Sequence, residues 1–199
     1  NIIFTTDMAQ PFGRVSNLAS INIKGGLTQL LPYGIASNIS FQGNKCALGR
    51  NTADPARWKR YKGGTAGEVW ISKDKKMNFN KLISLNGNMA CPMWIDKRIF
   101  FLSDHEGIAN IYSCLSSGKS LKQHTFHKNY YARNATTDNE SIVYHSGADI
   151  YCFDIKTNKS NKIEINFFSS LNQKSRKFIN ALEYLEDCTI NNDGSLISF

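Results

Sequence analysis

Short apolar runs separated by Gly, Asp, Asn and Lys recur along this chain, and helical periodicity is nearly absent. Ile2-Ile3-Phe4-Thr5-Thr6 leads into Asp7 much as Ile99-Phe100-Phe101-Leu102-Ser103 leads into Asp104. Ile142-Val143-Tyr144 follows Thr137-Asp138-Asn139-Glu140, Ile197-Ser198-Phe199 follows Asn192-Asp193-Gly194-Ser195, and Cys46-Ala47-Leu48 is a fainter copy. The mean spacing of these strands is about 49 residues. Each is followed by a second apolar strand: Leu18–Ile21, Val69-Trp70-Ile71, Ile108–Cys114 or Ala148–Phe153. A polar turn then predicts a short outer strand, at Leu121–Thr125 after Ser116–Lys119 and at Lys162–Ile165 after Asp154–Asn161. Repeats of this length made of consecutive antiparallel strands are the signature of a β-propeller, one four-stranded blade per repeat. The expected fold class is therefore all-β, a partial propeller of WD40/TolB-like blades amounting to about four blades over residues 1–199. One amphipathic segment, Ser175–Asp187, can place Phe178, Leu182 and Leu185 on a single helical face, and is equally consistent with a loop and a short strand.

Composition narrows the picture. With 41% hydrophobic residues the 199-residue chain is ordinary globular material, and no apolar run is long enough for a membrane-spanning helix. The first residue, Asn1, and the strand-like run at Leu196–Phe199 lead to the expectation that the chain is a piece of a longer one. An unclosed propeller exposes blade faces and a strand edge, so the isolated piece is expected to be marginally stable. Twenty-four Lys and Arg against sixteen Asp and Glu give a formal charge of +8, which favours anionic partners. Five widely separated cysteines without a C-x-x-C pair argue against a disulfide framework or a zinc ribbon and for a reducing compartment, in which the four Asn-x-Ser/Thr matches carry no meaning.

Candidate chemistry is sparse. His124-x-x-His127 falls at the end of a predicted outer strand, where that spacing does not converge two imidazoles on a metal. Ser103-Asp104-His105-Glu106-Gly107 contains a hydroxyl, a carboxylate and an imidazole but reads as a hairpin turn, with Asp104 capping backbone amides and Gly107 at positive φ. Glu183, Glu186 and Asp187 read as a solvated face. No nucleophile elbow, phosphate loop or dinucleotide fingerprint occurs, and no cofactor or metal is expected. The densest basic feature is Arg57-Trp58-Lys59-Arg60-Tyr61-Lys62-Gly63-Gly64-Thr65. Interleaved aromatics and cations suit base stacking and phosphate neutralisation, or equally a loop whose Trp58 and Tyr61 pack on a neighbouring blade while the cations line a channel. Gly63-Gly64 suits a tight turn before the strand Glu68–Ile71.

Arg50-Asn51-Thr52, the string Trp58–Ile71 and the run Arg98–Gly107 closely resemble the tricorn protease family. The resemblance extends from Gln10-Pro11-Phe12 through Asn110–Ser113, His124-Thr125, Tyr130–Arg133 and Thr137-Asp138. It implies a large, cytoplasmic, oligomeric serine peptidase that trims oligopeptides, built from a six-bladed propeller, a seven-bladed propeller, a PDZ-like module and a catalytic core. The chain resembles only the later part of the six-bladed propeller, so no catalytic residue carries over to it. The propellers of the family imply a channel or sieve for peptides, and Arg50, Lys59, Arg60 and Arg133 are the candidates for holding peptide carboxylates on its wall. Oligopeptides, and not nucleic acid or membrane, are then the expected partners. A free-standing TolB-type scaffold that binds proteins or polyanions is the alternative, and the Trp58–Ile71 string favours the first reading.

Overall fold

The computed structural model describes residues 1–8, 10, 11, 13, 15–52, 58–74 and 78–198. It divides into two compact units, Asn1–Ile163 and Glu164–Phe199.

Among the described residues of the first unit the strands form antiparallel sheets in chain order. β1 (Ile2–Thr6), β2 (Asn17–Ile21) and β3 (Gln29–Ile35) make a three-stranded sheet. β4 (Asn38–Gln42), β5 (Lys45–Arg50), β6 (Glu68–Ser72) and β7 (Asn80–Lys81) make a four-stranded one. β8 (Met89–Ile95), β9 (Arg98–Ser103), β10 (Asn110–Leu115) and β11 (Lys122–Gln123) make the next. β12 (Ala132–Thr137), β13 (Ser141–Ser146), β14 (Asp149–Asp154) and β15 (Lys159–Lys162) complete the series. The three four-stranded sheets, with the three-stranded one before them, are the antiparallel blades of a partial propeller. The recurring strands at Cys46, Ile99 and Ile142 are each the second strand of their sheet.

The central strands read as nearly continuous apolar runs because both of their faces are covered. In β9, Ile99 and Phe101 join Ala47, Val69 and Ile71 of the preceding sheet in one buried cluster with Trp94 and Tyr112. Phe100 and Leu102 point the other way, to Ala132, Ile142, Tyr144 and Phe153 of the following sheet. β5 divides in the same manner, since Leu48 packs with Leu18, Tyr33 and Ala36. Each such fully buried Leu, Ile or Phe stabilises the packed state by about 1.5–3 kcal/mol. A hydrogen bond from the Trp94 amide to Ser40 Oγ at 2.9 Å ties two adjacent sheets directly. The register of β12 on β13 slips between Arg133 and Thr136, where Asn134 takes φ 51°, so a bulge follows Arg133 immediately.

The last outer strand lies earlier than the sequence pattern predicts, at Lys159–Lys162. Asp154 Oδ1 accepts the Thr157 amide at 2.6 Å and Asn158 adopts φ 55°, so a tight turn reverses the chain sooner. In the second unit, β16 (Thr189–Ile190) and β17 (Ile197–Ser198) form a hairpin. Its segment 175–187 holds a single 3-10 turn, Ala181–Glu183, instead of an amphipathic helix. Phe178 and Leu182 are 96% and 79% exposed, so no buried face supports a longer one. Among the described residues no helix is long and apolar enough to cross a membrane.

Candidate functional site

The basic segment is held against the edge of the β8–β11 sheet by two side chains that flank that sheet's first two strands. Asn88 precedes β8 and Asp104 follows β9; both are buried, Asp104 being 2% exposed. Asp104 Oδ1 accepts the Asn88 amide at 2.6 Å, and Asp104 Oδ2 accepts the backbone N–H of Arg60 at 2.7 Å. The Asn88 side-chain amide donates to the Trp58 carbonyl at 2.8 Å and to Asp104 Oδ2 at 3.3 Å. Asp104 thus caps backbone amides, as its sequence context predicts, but those amides belong to Asn88 and to the distant Arg60 rather than to its own turn. Gly107, at φ 122°, completes that turn as expected.

Farther along the segment, the Ala66 amide bonds the Gly63 carbonyl at 3.0 Å, the tight turn foreseen for the glycine pair. Gly67 returns the chain to the sheet: Met89 N–H donates to its carbonyl at 3.1 Å. A Cβ on Gly67 would lie 2.1 Å from the Met89 carbonyl oxygen, so the close approach requires glycine.

The loop so fixed presents Lys59 and Arg60 to an open cleft of about 460 Å³, where they meet Arg133, Tyr130, Tyr131 and Ile108. Lys59 Nζ stands 5.6 Å from the centre of the Tyr131 ring. Tyr131 is itself buried and donates its hydroxyl to the Gly107 carbonyl at 3.0 Å. Burial pushes the Tyr131 phenol up, the Asp104 charge adds to this, and Arg60 opposes both. Tyr130, by contrast, is 64% exposed. Three cations and two tyrosine rings thus line one cleft.

Arg50 does not join them. Its guanidinium lies 4.7 Å over the Trp70 ring, and Nη2 donates to the Tyr33 carbonyl at 3.4 Å, so it is engaged within and beside its own sheet. Sequence reasoning missed Asn88 and the role of Tyr131; the one available signal was a polar residue immediately before an apolar strand.

The histidines are occupied elsewhere. His124 is buried, with Nε2 2.6 Å from Ser113 Oγ and Nδ1 2.6 Å from Asn158 Oδ1. His127 Nε2 lies 2.9 Å from the Tyr144 hydroxyl, so the two imidazoles face different partners. Ser103 and His105 do converge, Oγ to Nδ1 at 3.0 Å, because the chain turns immediately after β9 and the Ser103 hydroxyl also accepts the His105 amide at 3.4 Å. Ser103 is fully buried, which keeps its hydroxyl from any substrate.

Residues 1–159 match the model of the tricorn protease N-terminal beta propeller domain. The tricorn protease homolog of Saccharolobus solfataricus is 40% identical over 96% of this chain, and the tricorn protease of Thermoplasma acidophilum is 34% identical over all of it. The chain spans 18% of the length of each of these relatives. A crystal structure of the tricorn protease superposes with a TM-score of 0.79 at 35% identity, covering 85% of this chain and 16% of that one. A TolB protein from Agrobacterium tumefaciens, 14% identical with a TM-score of 0.58 over 77% of this chain and 57% of its own, shares the fold alone. With the family model, the sequences of its relatives and the superposed fold all in agreement, this chain belongs to the tricorn protease family, in the region of the N-terminal propeller.

Proposed function

We propose that the chain is the non-catalytic later part of a six-bladed propeller in a cytoplasmic, oligomeric, tricorn-like serine peptidase that degrades oligopeptides. Its part is to pass or sieve those peptides, with Lys59, Arg60 and Arg133 attracting their carboxylate ends. The observation that carries this reading is the convergence of the adjacent Lys59 and Arg60 with the sequence-distant Arg133 on one cleft beside Tyr130 and Tyr131. Arg50 lies outside that cleft and is not included. Guanidinium and ammonium groups beside partly desolvating aromatic walls hold a terminal carboxylate better than its neutral amide.

The test compares kcat/KM of the full-length protein for an oligopeptide and for its C-terminal amide. The free acid is expected to be preferred, and Lys59→Ala/Arg60→Ala/Arg133→Ala is expected to reduce that preference about tenfold, a change of ~1.4 kcal/mol. An unchanged preference in the triple variant overturns the assignment of the cleft.

A further inference from the structure

Two of the three cations in the cleft sit on a segment that has no strand of its own to fix it: Lys59 and Arg60 are exposed turn residues. Arg60 also adopts φ 57°, a left-handed backbone conformation that is unfavourable for a residue with a long side chain. Something must hold it there. The hydrogen bonds described above grip the segment on both sides of Lys59, the carbonyl of Trp58 by Asn88 and the N–H of Arg60 by Asp104. The two gripping side chains also bond each other, at 3.3 Å, and both are buried.

We infer that Asn88 and Asp104 form a clamp that positions Lys59 and Arg60 at the mouth of the cleft, and so sets its ability to hold a carboxylate. Neither side chain lines the cleft; both act through the backbone of the basic loop, as positioning residues. The chemistry suits the task. A buried carboxylate has several acceptor sites and binds main-chain N–H groups strongly, while an amide side chain alone can offer a donor to Trp58 and an acceptor to Gly67, which it meets at 3.4 Å. A neutral replacement of Asp104 turns a donor toward donors, and an acidic replacement of Asn88 sets a second carboxylate beside the first. Either change releases the loop without removing a cation. The inference rests on the reading of the cleft as a carboxylate site.

Asn88→Asp and Asp104→Asn, each in the full-length protein, test it with penta-alanine and its C-terminal amide as probes. Hydrogen exchange is followed in parallel for segments 58–62 and 99–102. The expected result is a preference for the free acid about threefold weaker than in the wild type, with exchange at 58–62 about tenfold faster and exchange at 99–102 unchanged. Full preference in the variants, or unchanged exchange at 58–62, overturns the clamp. Equal acceleration of both segments also overturns it, since these residues then serve the fold as a whole. If Asp104→Asn does not fold, Asn88→Asp decides alone. A wild-type protein that does not distinguish acid from amide overturns the reading of the cleft instead, and the exchange data still decide whether the clamp exists.

Discussion

Arg50 and Trp70 form a stacked pair on neighbouring strands, guanidinium over indole at 4.7 Å, and the indole N–H donates to Glu68 at 2.9 Å. Burial pushes the Glu68 carboxyl up, but hydrogen bonds from Lys81 and Trp70, with the charges of Lys81 and Arg50, outweigh burial and hold it below the usual carboxylate range. Arg50→Met is therefore expected to destabilise the fold by about 1–2 kcal/mol and to leave peptide preference unchanged. Urea denaturation beside the acid-versus-amide comparison checks both halves. A loss of preference equal to that of Arg60→Ala would return Arg50 to the cleft.

Gly67→Ala forces a methyl group onto the Met89 carbonyl, a backbone atom that cannot swing aside. The expected cost is about 3 kcal/mol, at the upper end for overpacking. Gly64→Ala is the contrast: no atom lies within 4 Å of its would-be Cβ and its φ is negative, so its unfolding midpoint should stay close to the wild type.

Much of this was legible in the sequence. The strands at Cys46, Ile99 and Ile142 are apolar on consecutive positions and bounded by turn residues, which is how a strand covered on both faces must read. The grouping of Lys59, Arg60 and Arg133 was only partly legible: the first two are adjacent, while Arg133 reaches them through the stacking of separate sheets, which no local pattern encodes. That Arg50 lies over Trp70 and apart from these three was illegible for the same reason, as a cation at the end of an apolar strand looks identical whether it faces a cleft or lies on an indole. The short strand at Lys159–Lys162 was displaced because Asp154 and Asn158 make a tighter turn than composition specifies.

Burial lowers the proton affinity of His105, His124 and His127, partly offset by nearby acids at His105 and by the Asn158 hydrogen bond at His124. Their folded pKa values lie below the ordinary imidazole value, so the unfolded chain binds more protons between the two. Stability is therefore expected to fall as pH drops through the ordinary imidazole range, and to level off below the folded pKa values. Unfolding midpoints in urea at about pH 7.5 and 5.5 check this, above the range in which carboxylates titrate. His124→Gln should shrink the difference, and a higher midpoint at the lower pH would contradict it.

The cysteines should react in an order set by exposure. Cys188 is exposed, whereas burial pushes the Cys46 thiol up and that of Cys114 to about 11 against the opposing charge of Arg98. A thiol-specific disulfide reagent at neutral pH is expected to modify Cys188 first and to reach Cys46 and Cys114 only on unfolding. Peptide mapping after brief labelling gives the order.

The two-sided service of β9 has a consequence for how the sheet can change over time. Ile99 and Phe101 belong to one interface, and Phe100 and Leu102 to the other. Deleting one residue before Ile99 while the hairpin keeps its pairing would exchange the tenants of both interfaces in a single step. Point substitutions can be tested by selection one interface at a time, but a one-residue length change cannot. The strand's length is thereby locked, and variation in length is channelled into the turns that face away from both cores.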